Sequence, residues 1–316
     1  MERFAAIDIG TNTVLLLVAE RWGDTFKPLV EEAEITRLGR GVDKTGRLDP
    51  AALRATVDVL ARYVATARAH GVQRIACVAT SAARDASNGA EFFAAAREAA
   101  GIVPEIISGD EEARLVYTSA WRDFGSAAVG RNASTSTLAV LDVGGGSTEF
   151  TYGNGPLPQG RKSLQIGSVR LSERLAPADP MTRADSDNMR TAARQAVRAL
   201  STMDGVAALR GGRMIGVAGT VTTLAAVEQE LRRYDALKVH GSTLTLKALE
   251  KLFEKLARLT VAERARLPGI EPKRADVIVA GCAVVIEAMA MVGFEELLVS
   301  DRGVRWGLLY DAASLG

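Results

Sequence analysis

The chain has 316 residues, 47% of them hydrophobic, which is enough for two globular domains with separate cores. Its formal net charge is +1, so no global positive field would recruit nucleic acid or an anionic membrane. The 2 histidines exclude a histidine-rich metal cluster and argue against Ser-His-Asp catalysis, so carboxylates are expected to carry the chemistry. Cys77 and Cys282 lie in apolar runs, which predicts buried free thiols rather than a disulfide.

The start of the chain runs directly into a strand pattern and has no signal-peptide core. The longest apolar stretch, residues 277–286, is too short to span a bilayer. These features predict a cytoplasmic protein.

The first predicted strand, residues 4–9, contains Asp8 and leads into the hydroxyl-rich turn Gly-Thr-Asn-Thr. Strand-like residues follow at 14–18, and two further segments, 26–29 and 34–38, predict a meander of strands that completes a five-stranded sheet. A helix predicted at 49–71 has apolar residues at helical spacing and should cover one face of that sheet.

A buried strand predicted at 72–80 is followed by Arg84. Ligands of open α/β sheets bind at the carboxyl ends of the strands, so Arg84 is a candidate phosphate contact. A solvated charge at the start of a helix explains the same residue equally well.

Two adjacent glutamates follow a helix predicted at 91–100 and a strand predicted at 104–107. Glu111 stands at capping-box spacing from Ser108, which gives it a structural role at the start of a helix. Glu112 falls on the buried stripe of that helix, where a carboxylate is costly unless a site uses it, and is the candidate general base. Complementing the helix dipole would account for Glu111 but not for the inward face of Glu112.

Residues 125–137 are rich in Gly, Ala, Ser, Asn and Thr, a composition typical of an exposed connection. We therefore place the boundary between two halves near Asp123.

The second half opens with Leu138-Ala-Val-Leu-Asp-Val-Gly-Gly-Gly-Ser-Thr-Glu-Phe. A short apolar strand ends at Asp142, and three glycines can then aim successive amide hydrogens at one point, a concave nest suited to phosphate oxygens. Ser147 and Thr148 add hydroxyl donors. A hairpin turn is the alternative, because Glu149 begins a second strand pattern, but a simple turn requires neither a third glycine nor flanking acidic residues.

The two acidic turns align, with Asp8 on Asp142 and Gly10 on Gly144. A strand, Asp-x-Gly, a hydroxyl-rich turn and a returning strand, occurring twice, indicates a duplicated domain whose halves would line one cleft. Carboxylates beside a bound phosphate would repel it unless a divalent cation bridged them, and oxygen ligands favour Mg²⁺.

Later in the chain, Gly219 and Thr220 follow a strand and precede a helix, an arrangement that favours an anion but is weak alone. We interpret Arg274 as pairing with Asp276, although it could also reach a phosphate, and His240 receives no role. The other predicted elements are strands at 161–169, 213–217 and 296–300 and helices at 183–203, 244–259 and 272–291.

Four motifs together resemble the exopolyphosphatase and guanosine pentaphosphate phosphohydrolase (Ppx/GppA) family in its short two-domain form, in that family's order and over nearly the whole chain. They are Asp8-Ile-Gly-Thr-Asn-Thr, Ser108-Gly-Asp-Glu-Glu-Ala-Arg-Leu, Asp142-Val-Gly-Gly-Gly-Ser-Thr-Glu and Ser300-Asp-Arg-Gly-x-Arg-x-Gly. The resemblance implies an α/β fold of two duplicated actin-like and sugar-kinase-like (ribonuclease H-like) domains. Each would have a mixed five-stranded sheet flanked by helices, with the active site in the interdomain cleft.

In related proteins the last helix crosses back to the first domain. The implied domains are therefore residues 1–123 with 301–316, and residues 124–300. Arg302 and Arg305 would then lie at the cleft, and the resemblance also favours functional roles for Arg84, Gly219 and Thr220.

The implied activity is that of a phosphoric anhydride hydrolase: Mg²⁺-dependent release of the terminal phosphate of polyphosphate. Short chains are expected, because the sequence ends at Gly316 without the helical extension of longer members. Alternatives are a guanosine pentaphosphate 5′-phosphohydrolase, linked to the stringent response, an ATP-dependent small-molecule kinase of the same fold, and a non-catalytic sensor of guanosine tetraphosphate, guanosine pentaphosphate or ATP. A homodimer is considered; nucleic-acid and membrane partners are not expected.

The expected site residues fall into three groups. Catalytic residues are Glu112 and Glu149, and metal ligands are Asp8, Asp142 and Glu149. Substrate-binding residues are Gly10, Thr11, Asn12, Thr13, Arg84, Gly144, Gly145, Gly146, Ser147, Thr148, Gly219, Thr220 and Arg302.

Overall fold

A computed structural model describes residues 2–125, 137–209 and 211–314, with the backbone alone at 207 and 208. The chain divides into two compact units: a first unit of residues 1–115 with 304–316, and a second unit of residues 116–303. The division falls inside the helix Gly109–Phe124, so the boundary near Asp123 stays a prediction. Most of the predicted connection, residues 126–136, lies outside the described residues.

The first unit contains a five-stranded sheet in the order β3-β2-β1-β4-β5, in which β1 to β3 are antiparallel and β4 and β5 run parallel to β1. Its strands are β1 Arg3–Ile9, β2 Thr13–Trp22, β3 Thr25–Ile35, β4 Arg74–Ala79 and β5 Glu105–Ile106. The segment predicted at 26–29 and the first two residues of the segment predicted at 34–38 lie in one edge strand, β3, which ends at Ile35. It tolerates Pro28 through a register shift opposite Val18 and Ala19.

Helices cover the faces of this sheet, and the longest is the one predicted at 49–71. The Asp49 carboxylate accepts hydrogen bonds from the amides of Ala51 and Ala52, and Pro50 occupies the first helical position. Leu60 and Val64 are among the residues on its buried face. The helices are α1 Val42–Thr45, α2 Pro50–Ala69, α3 Ser81–Asp85, α4 Gly89–Ala100 and α5 Gly109–Phe124.

The second unit contains a six-stranded sheet in the order β10-β11-β9-β6-β7-β8. Its strands are β6 Leu138–Val143, β7 Thr148–Gly153, β8 Gly160–Leu164, β9 Arg213–Val217, β10 Thr243–Thr245 and β11 Glu296–Val299. The order β8-β7-β6-β9-β11 repeats that of the first unit, and the strand directions match: β6, β9 and β11 are parallel, and β7 and β8 continue antiparallel. The duplication is therefore confirmed.

The expectation of five strands in both sheets is wrong for the second unit. Residues 243–245 pair antiparallel with β11 and add a sixth strand at the point where a helix was predicted to begin. The helix that follows starts at Leu246, because the Thr245 hydroxyl accepts a hydrogen bond from the Ala248 amide and caps it.

The helices of the second unit also refine the predicted boundaries. The strand predicted at 161–169 ends at Leu164, because Ser168 already begins a helix. The helix predicted from residue 272 begins at Ile278 and follows a 3₁₀ turn. The helices are α6 Ser168–Leu175, α7 Arg183–Val197, α8 Ala218–Glu228, α9 Ala236–Val239, α10 Leu246–Ala257, α11 Val261–Arg264 and α12 Ile278–Val292, with 3₁₀ turns at Arg198–Thr202, Val206–Leu209 and Pro272–Arg274.

The chain ends in α13, Val304–Ser314, which belongs to the first unit and packs on β1, β2 and β4. A Cβ at Gly307 would lie 2.3 Å from the carbonyl oxygen of Leu115, so α13 approaches α5 closely. Cys77 and Cys282 are free thiols, as predicted, but only Cys282 is fully buried, whereas Cys77 is partly exposed. Among the helices of the described ranges, none has the length and apolar character needed to cross a bilayer.

Candidate active site

The same tight turn follows the first strand of each unit. After β1, the Gly10 amide donates to the Thr13 carbonyl at 3.0 Å; after β6, the Gly144 amide donates to the Ser147 carbonyl at 3.1 Å. A Cβ at either glycine would lie 3.2 Å from the accepting oxygen. Neither glycine has a positive φ, so glycine is favoured at these two positions by the lack of space for a side chain.

In the first unit, amides of the segment 36–39 donate hydrogen bonds to carbonyl groups of this turn and hold it in place. The Gly39 amide donates to the Thr11 carbonyl at 2.8 Å, and the Asn12 carbonyl accepts from the amides of Thr36 and Arg37. The side chains of Thr11 and Asn12 are buried. Among the described residues, the amide N–H groups of Thr11 and Asn12 donate to no protein acceptor, so these backbone donors remain for a ligand.

In the second unit, the N-terminus of α6 holds the glycine loop. The Gly145 carbonyl accepts from the Val169 amide at 2.9 Å and from the Arg170 amide at 3.1 Å, and the Arg170 Nε donates to the Gly146 carbonyl at 2.7 Å. A Cβ at Gly167 would lie 2.4 Å from the Gly145 oxygen, so the helix and the loop touch. The carbonyl groups of the loop are thereby occupied by α6.

The amides of this loop are not used in the same way. Within the described ranges, the N–H groups of Gly145, Gly146 and Ser147 donate to no protein acceptor. Consecutive amides of this kind form an anion-binding nest. The Thr148 hydroxyl, in contrast, is fully buried and donates to the Ile166 carbonyl at 2.7 Å, so it stabilises the loop.

Two carboxylates lie beside this nest. Asp142 on β6 and Glu149 on β7 are register partners across the antiparallel pair, so their side chains are on the same face of the sheet. Both are buried, 6% and 2% exposed, and the Ser163 hydroxyl donates to Glu149 Oε1 at 2.7 Å. Like charges directly opposite each other destabilise a sheet. A cation between them would remove that cost.

Mg²⁺ fits this carboxylate pair. It is typically held by one or two carboxylates and completes its octahedron with waters and substrate phosphate oxygens. Among the described residues, no group of three or more His, Cys, Asp or Glu side chains could hold a metal. Asp142 and Glu149 would therefore bind the ion in a partly open site that leaves positions for phosphate oxygens.

The corresponding acid of the first unit, Asp8, is 8% exposed, and its Oδ1 accepts no hydrogen bond from the described residues. Its partner on β2 is Leu15, so the carboxylate pair is not repeated. Burial raises the pKa of Asp8 to about 7, against the opposing effect of the Arg305 guanidinium. Arg305 is buried in the first unit, where it donates to the Leu16 carbonyl at 3.2 Å and pairs with Glu31 at 3.0 Å. Within the first unit Arg305 is thus held by β2 and β3, and its implied place at the cleft stays a prediction.

Asp8→Asn should remove a pH dependence of stability. The pKa of Asp8 is about 7 in the folded protein against an ordinary value of 3.8, so the stability it contributes is complete below about pH 4 and is lost as pH rises through 7. Between about pH 5 and pH 8, the free energy of unfolding of the wild type should fall by roughly 2 kcal/mol more than that of the variant. Urea unfolding in chelator-treated buffer measures this; parallel profiles for the two proteins would contradict it.

The predicted base and the predicted arginine are neighbours in the first unit. Glu112, in the first turn of α5, is 8% exposed, and its Oε2 lies 3.7 Å from Arg84 Nη1. The same Nη1 donates to the Ile107 carbonyl at 2.8 Å, which fixes the guanidinium at the end of β5. Arg84 Nη2 is buried and has no hydrogen-bond partner among the described residues.

Glu111, one residue earlier, has a different environment. Its amide donates to the Ser108 hydroxyl at 3.1 Å, and its carboxylate accepts two hydrogen bonds from Arg114, at 2.6 and 2.9 Å. Arg114 also pairs with Asp311 on α13. Glu111 is therefore structural, as predicted, but its carboxylate binds Arg114 and through it connects to α13, whereas the capping-box spacing predicted that it would bind the amide at the start of the helix.

The turn with Gly219 and Thr220, which was predicted to favour an anion, lies at the start of α8 and is covered by the side chain of Arg274. Ala218 has a φ of 70°, and a Cβ at Gly219 would lie 2.3 Å from Arg274 Nη1. Thr220 is buried, and a Cβ at Gly281 of α12 would lie 2.5 Å from its methyl group. Arg274, which the sequence was interpreted as pairing with Asp276, thus covers the predicted anion turn.

Arg302 follows β11 and donates to Asp123 Oδ1 at 2.6 Å. Sequence reasoning used Asp123 only as a boundary marker and gave no role to His240, whose Nε2 lies 3.9 Å from the other Asp123 oxygen. No local pattern could have indicated this cluster, because Asp123 and Arg302 are 179 positions apart.

Comparison with known proteins shows to which family this chain belongs. Residues 17–315 match the family model described as the Ppx/GppA phosphatase family. The chain belongs to that family. The predicted membership and the actin-like fold class are thereby confirmed, and the chain is a hydrolase of the Ppx/GppA family.

Individual relatives agree over the full length. Exopolyphosphatase 2 of Mycobacterium tuberculosis is 36% identical over 329 aligned positions, covering 99% of each chain. The crystal structure of a Ppx/GppA family member from Aquifex aeolicus is 31% identical with a TM-score of 0.81, covering 99% of this chain and 98% of that one. An exopolyphosphatase from Cytophaga hutchinsonii is 28% identical with a TM-score of 0.88, with the same coverage.

Proposed function

We propose that this Ppx/GppA-family hydrolase is an exopolyphosphatase that releases the terminal phosphate of inorganic polyphosphate with the help of Mg²⁺. The observation that carries the proposal is the loop 144–147, whose amides at Gly145, Gly146 and Ser147 remain available beside the buried pair of Asp142 and Glu149. Such a loop binds a phosphate, and the pair supplies metal ligands. The name of the relative from M. tuberculosis supports the same substrate.

The mechanism assigns each group a role. Glu112, a buried carboxylate, orients and deprotonates the water that attacks the terminal phosphorus. The bond from this phosphorus to the bridging oxygen breaks, and the shortened polyphosphate leaves. Arg84, with Nη2 unused by the described residues, donates to oxygens of the transferring phosphoryl group. The loop amides bind oxygens of the terminal phosphate and hold it in position. Bound Mg²⁺, for which Asp142 and Glu149 would supply ligands, would neutralise charge that develops on the phosphoryl oxygens. Asp8 stays a further candidate ligand.

We expect a preference for short chains. The protein has a formal net charge of +1, so it offers no strong global field to hold a long polyanion, and binding depends on local amides and a few arginines. Guanosine pentaphosphate contains the same anhydride bond and is the alternative substrate.

Phosphate release by the purified protein tests the proposal. Tripolyphosphate, long-chain polyphosphate and guanosine pentaphosphate are compared at equal terminal-phosphate concentration, with Mg²⁺ and with chelator. Release from tripolyphosphate that requires Mg²⁺ and no nucleotide supports it. Release from guanosine pentaphosphate alone favours the nucleotide hydrolase, strict dependence on ATP and an acceptor favours a kinase, and tight binding without turnover favours a sensor.

A further inference from the structure

The glycine loop of the second unit binds the first turn of α6 through three consecutive carbonyl groups. The first two, of residues 144–145, accept from backbone amides of the helix, at 2.9 Å from Ser168 and at 2.9 Å from Val169. The third, that of Gly146, accepts from a side chain, the Nε of Arg170, at 2.7 Å. One helical turn therefore holds three successive peptide groups of the loop.

These contacts set the direction of the loop amides. The peptide bonds of the loop are trans, and in a planar trans peptide the carbonyl of one residue and the N–H of the next point in opposite directions. Carbonyl groups that face α6 therefore aim the N–H groups of residues 145–147 away from it, to the other side of the loop. These are the same three amides that donate to no acceptor within the described ranges.

Arg170 makes the one contact of the three that comes from a charged side chain. It binds the Gly146 carbonyl, and the amide at the other end of that peptide group belongs to Ser147. A charged donor on a carbonyl gives a stronger hydrogen bond than a neutral one, and hydrogen bonds in a chain polarise one another. The Arg170 guanidinium therefore both orients the Ser147 N–H and makes it a stronger donor.

We propose that Arg170 is a positioning residue of the phosphate nest: it orients and polarises the Ser147 amide, which donates to an oxygen of the terminal phosphate. The positive end of α6 thus acts on the anion through the loop, whereas at other anion sites the helix amides contact the ligand themselves. This role uses Nε alone, so further contacts of the guanidinium do not compete with it. The inference rests on the proposed function in taking this loop as the phosphate site.

Two variants separate the donor from the charge. Arg170→Lys keeps the positive charge but carries a methylene group where arginine has Nε, and Arg170→Gln removes the charge as well. Both should weaken the binding of tripolyphosphate about tenfold, the effect of losing one hydrogen bond made by a charged group. Calorimetric titration in chelator measures this without turnover. Arg174→Gln, which removes the same charge from an exposed position one turn later on α6, is the matched control and should bind as the wild type.

The affinity of the folded protein distinguishes positioning from a merely structural role. An arginine that only stabilised α6 would lower Tm on substitution and leave the dissociation constant of the folded protein unchanged. Wild-type affinity in both Arg170 variants, or an equal loss of affinity in Arg174→Gln, overturns the proposal.

The wild type gives a second readout, which does not depend on the folding of a variant. Tripolyphosphate bound at the Ser147 amide polarises the peptide further, so the Nε–H signal of Arg170 in NMR should move downfield and its hydrogen exchange should slow. An unmoved signal at saturating tripolyphosphate overturns the proposal.

These outcomes are separable from turnover. Hydrolysis by the wild type, with wild-type affinity in both Arg170 variants, sinks this inference alone. Weakened binding in those variants, without hydrolysis by the wild type, supports the inference and sinks the proposed function. A wild type that binds no tripolyphosphate overturns both.

Discussion

Glu112→Gln should lower kcat by about 10²- to 10⁴-fold and leave the fold and the affinity for polyphosphate intact. The substitution keeps the size and the polar oxygen of a side chain that is 8% exposed, but it removes the group that accepts the proton of the attacking water. The measurement is steady-state phosphate release with Mg²⁺, with circular dichroism to confirm folding.

Glu111→Gln is the matched control, since it makes the same chemical change one residue earlier on the same helix. Its carboxylate binds Arg114, so the variant should lose some stability and keep kcat within about threefold of the wild type. Equal losses in the two variants, or full activity of Glu112→Gln, would refute the assignment of the base.

Asp142→Asn should abolish Mg²⁺-dependent turnover and, without the metal, stabilise the protein. Asp142 and Glu149 are buried register partners, and replacing one carboxylate by an amide removes their repulsion, worth on the order of 1 kcal/mol. In the wild type, Mg²⁺ should raise Tm because it binds only the folded pair. In the variant, Tm should start higher and respond little to Mg²⁺.

Thermal unfolding across a Mg²⁺ titration measures both effects. Asp58→Asn, which removes one carboxylate from an exposed position of α2, controls for the change in net charge and should behave as the wild type. An Asp142→Asn protein whose Tm still rises with Mg²⁺ as in the wild type would show that the ion binds elsewhere.

Much of the local structure could be predicted because its causes are local. The 3.6-residue spacing of apolar residues, the Asp49 cap and the following Pro50 predicted α2 almost to its ends. The buried position of Glu112 followed from its spacing to Leu115 on one helix face. The errors arose where a tertiary contact competes with a local pattern: Thr243–Thr245 pairs with β11 as a strand, although a helical pattern begins at residue 244.

The sequence by itself determined the repeated strand, Asp-x-Gly turn and returning strand, and therefore the two sheets of matching order, because hydrophobic periodicity and turn chemistry act over a few residues. Only the tertiary structure decided which polar groups remain available. The strand register places Asp142 opposite Glu149. Amides of α6 donate to the carbonyl groups of the glycine loop, whereas the loop's own amides bind no described acceptor. Packing buried Arg305 and joined Asp123 to Arg302 across 179 positions. Such partners are chosen by burial and hydrogen-bond satisfaction among segments distant in sequence, which no local pattern contains.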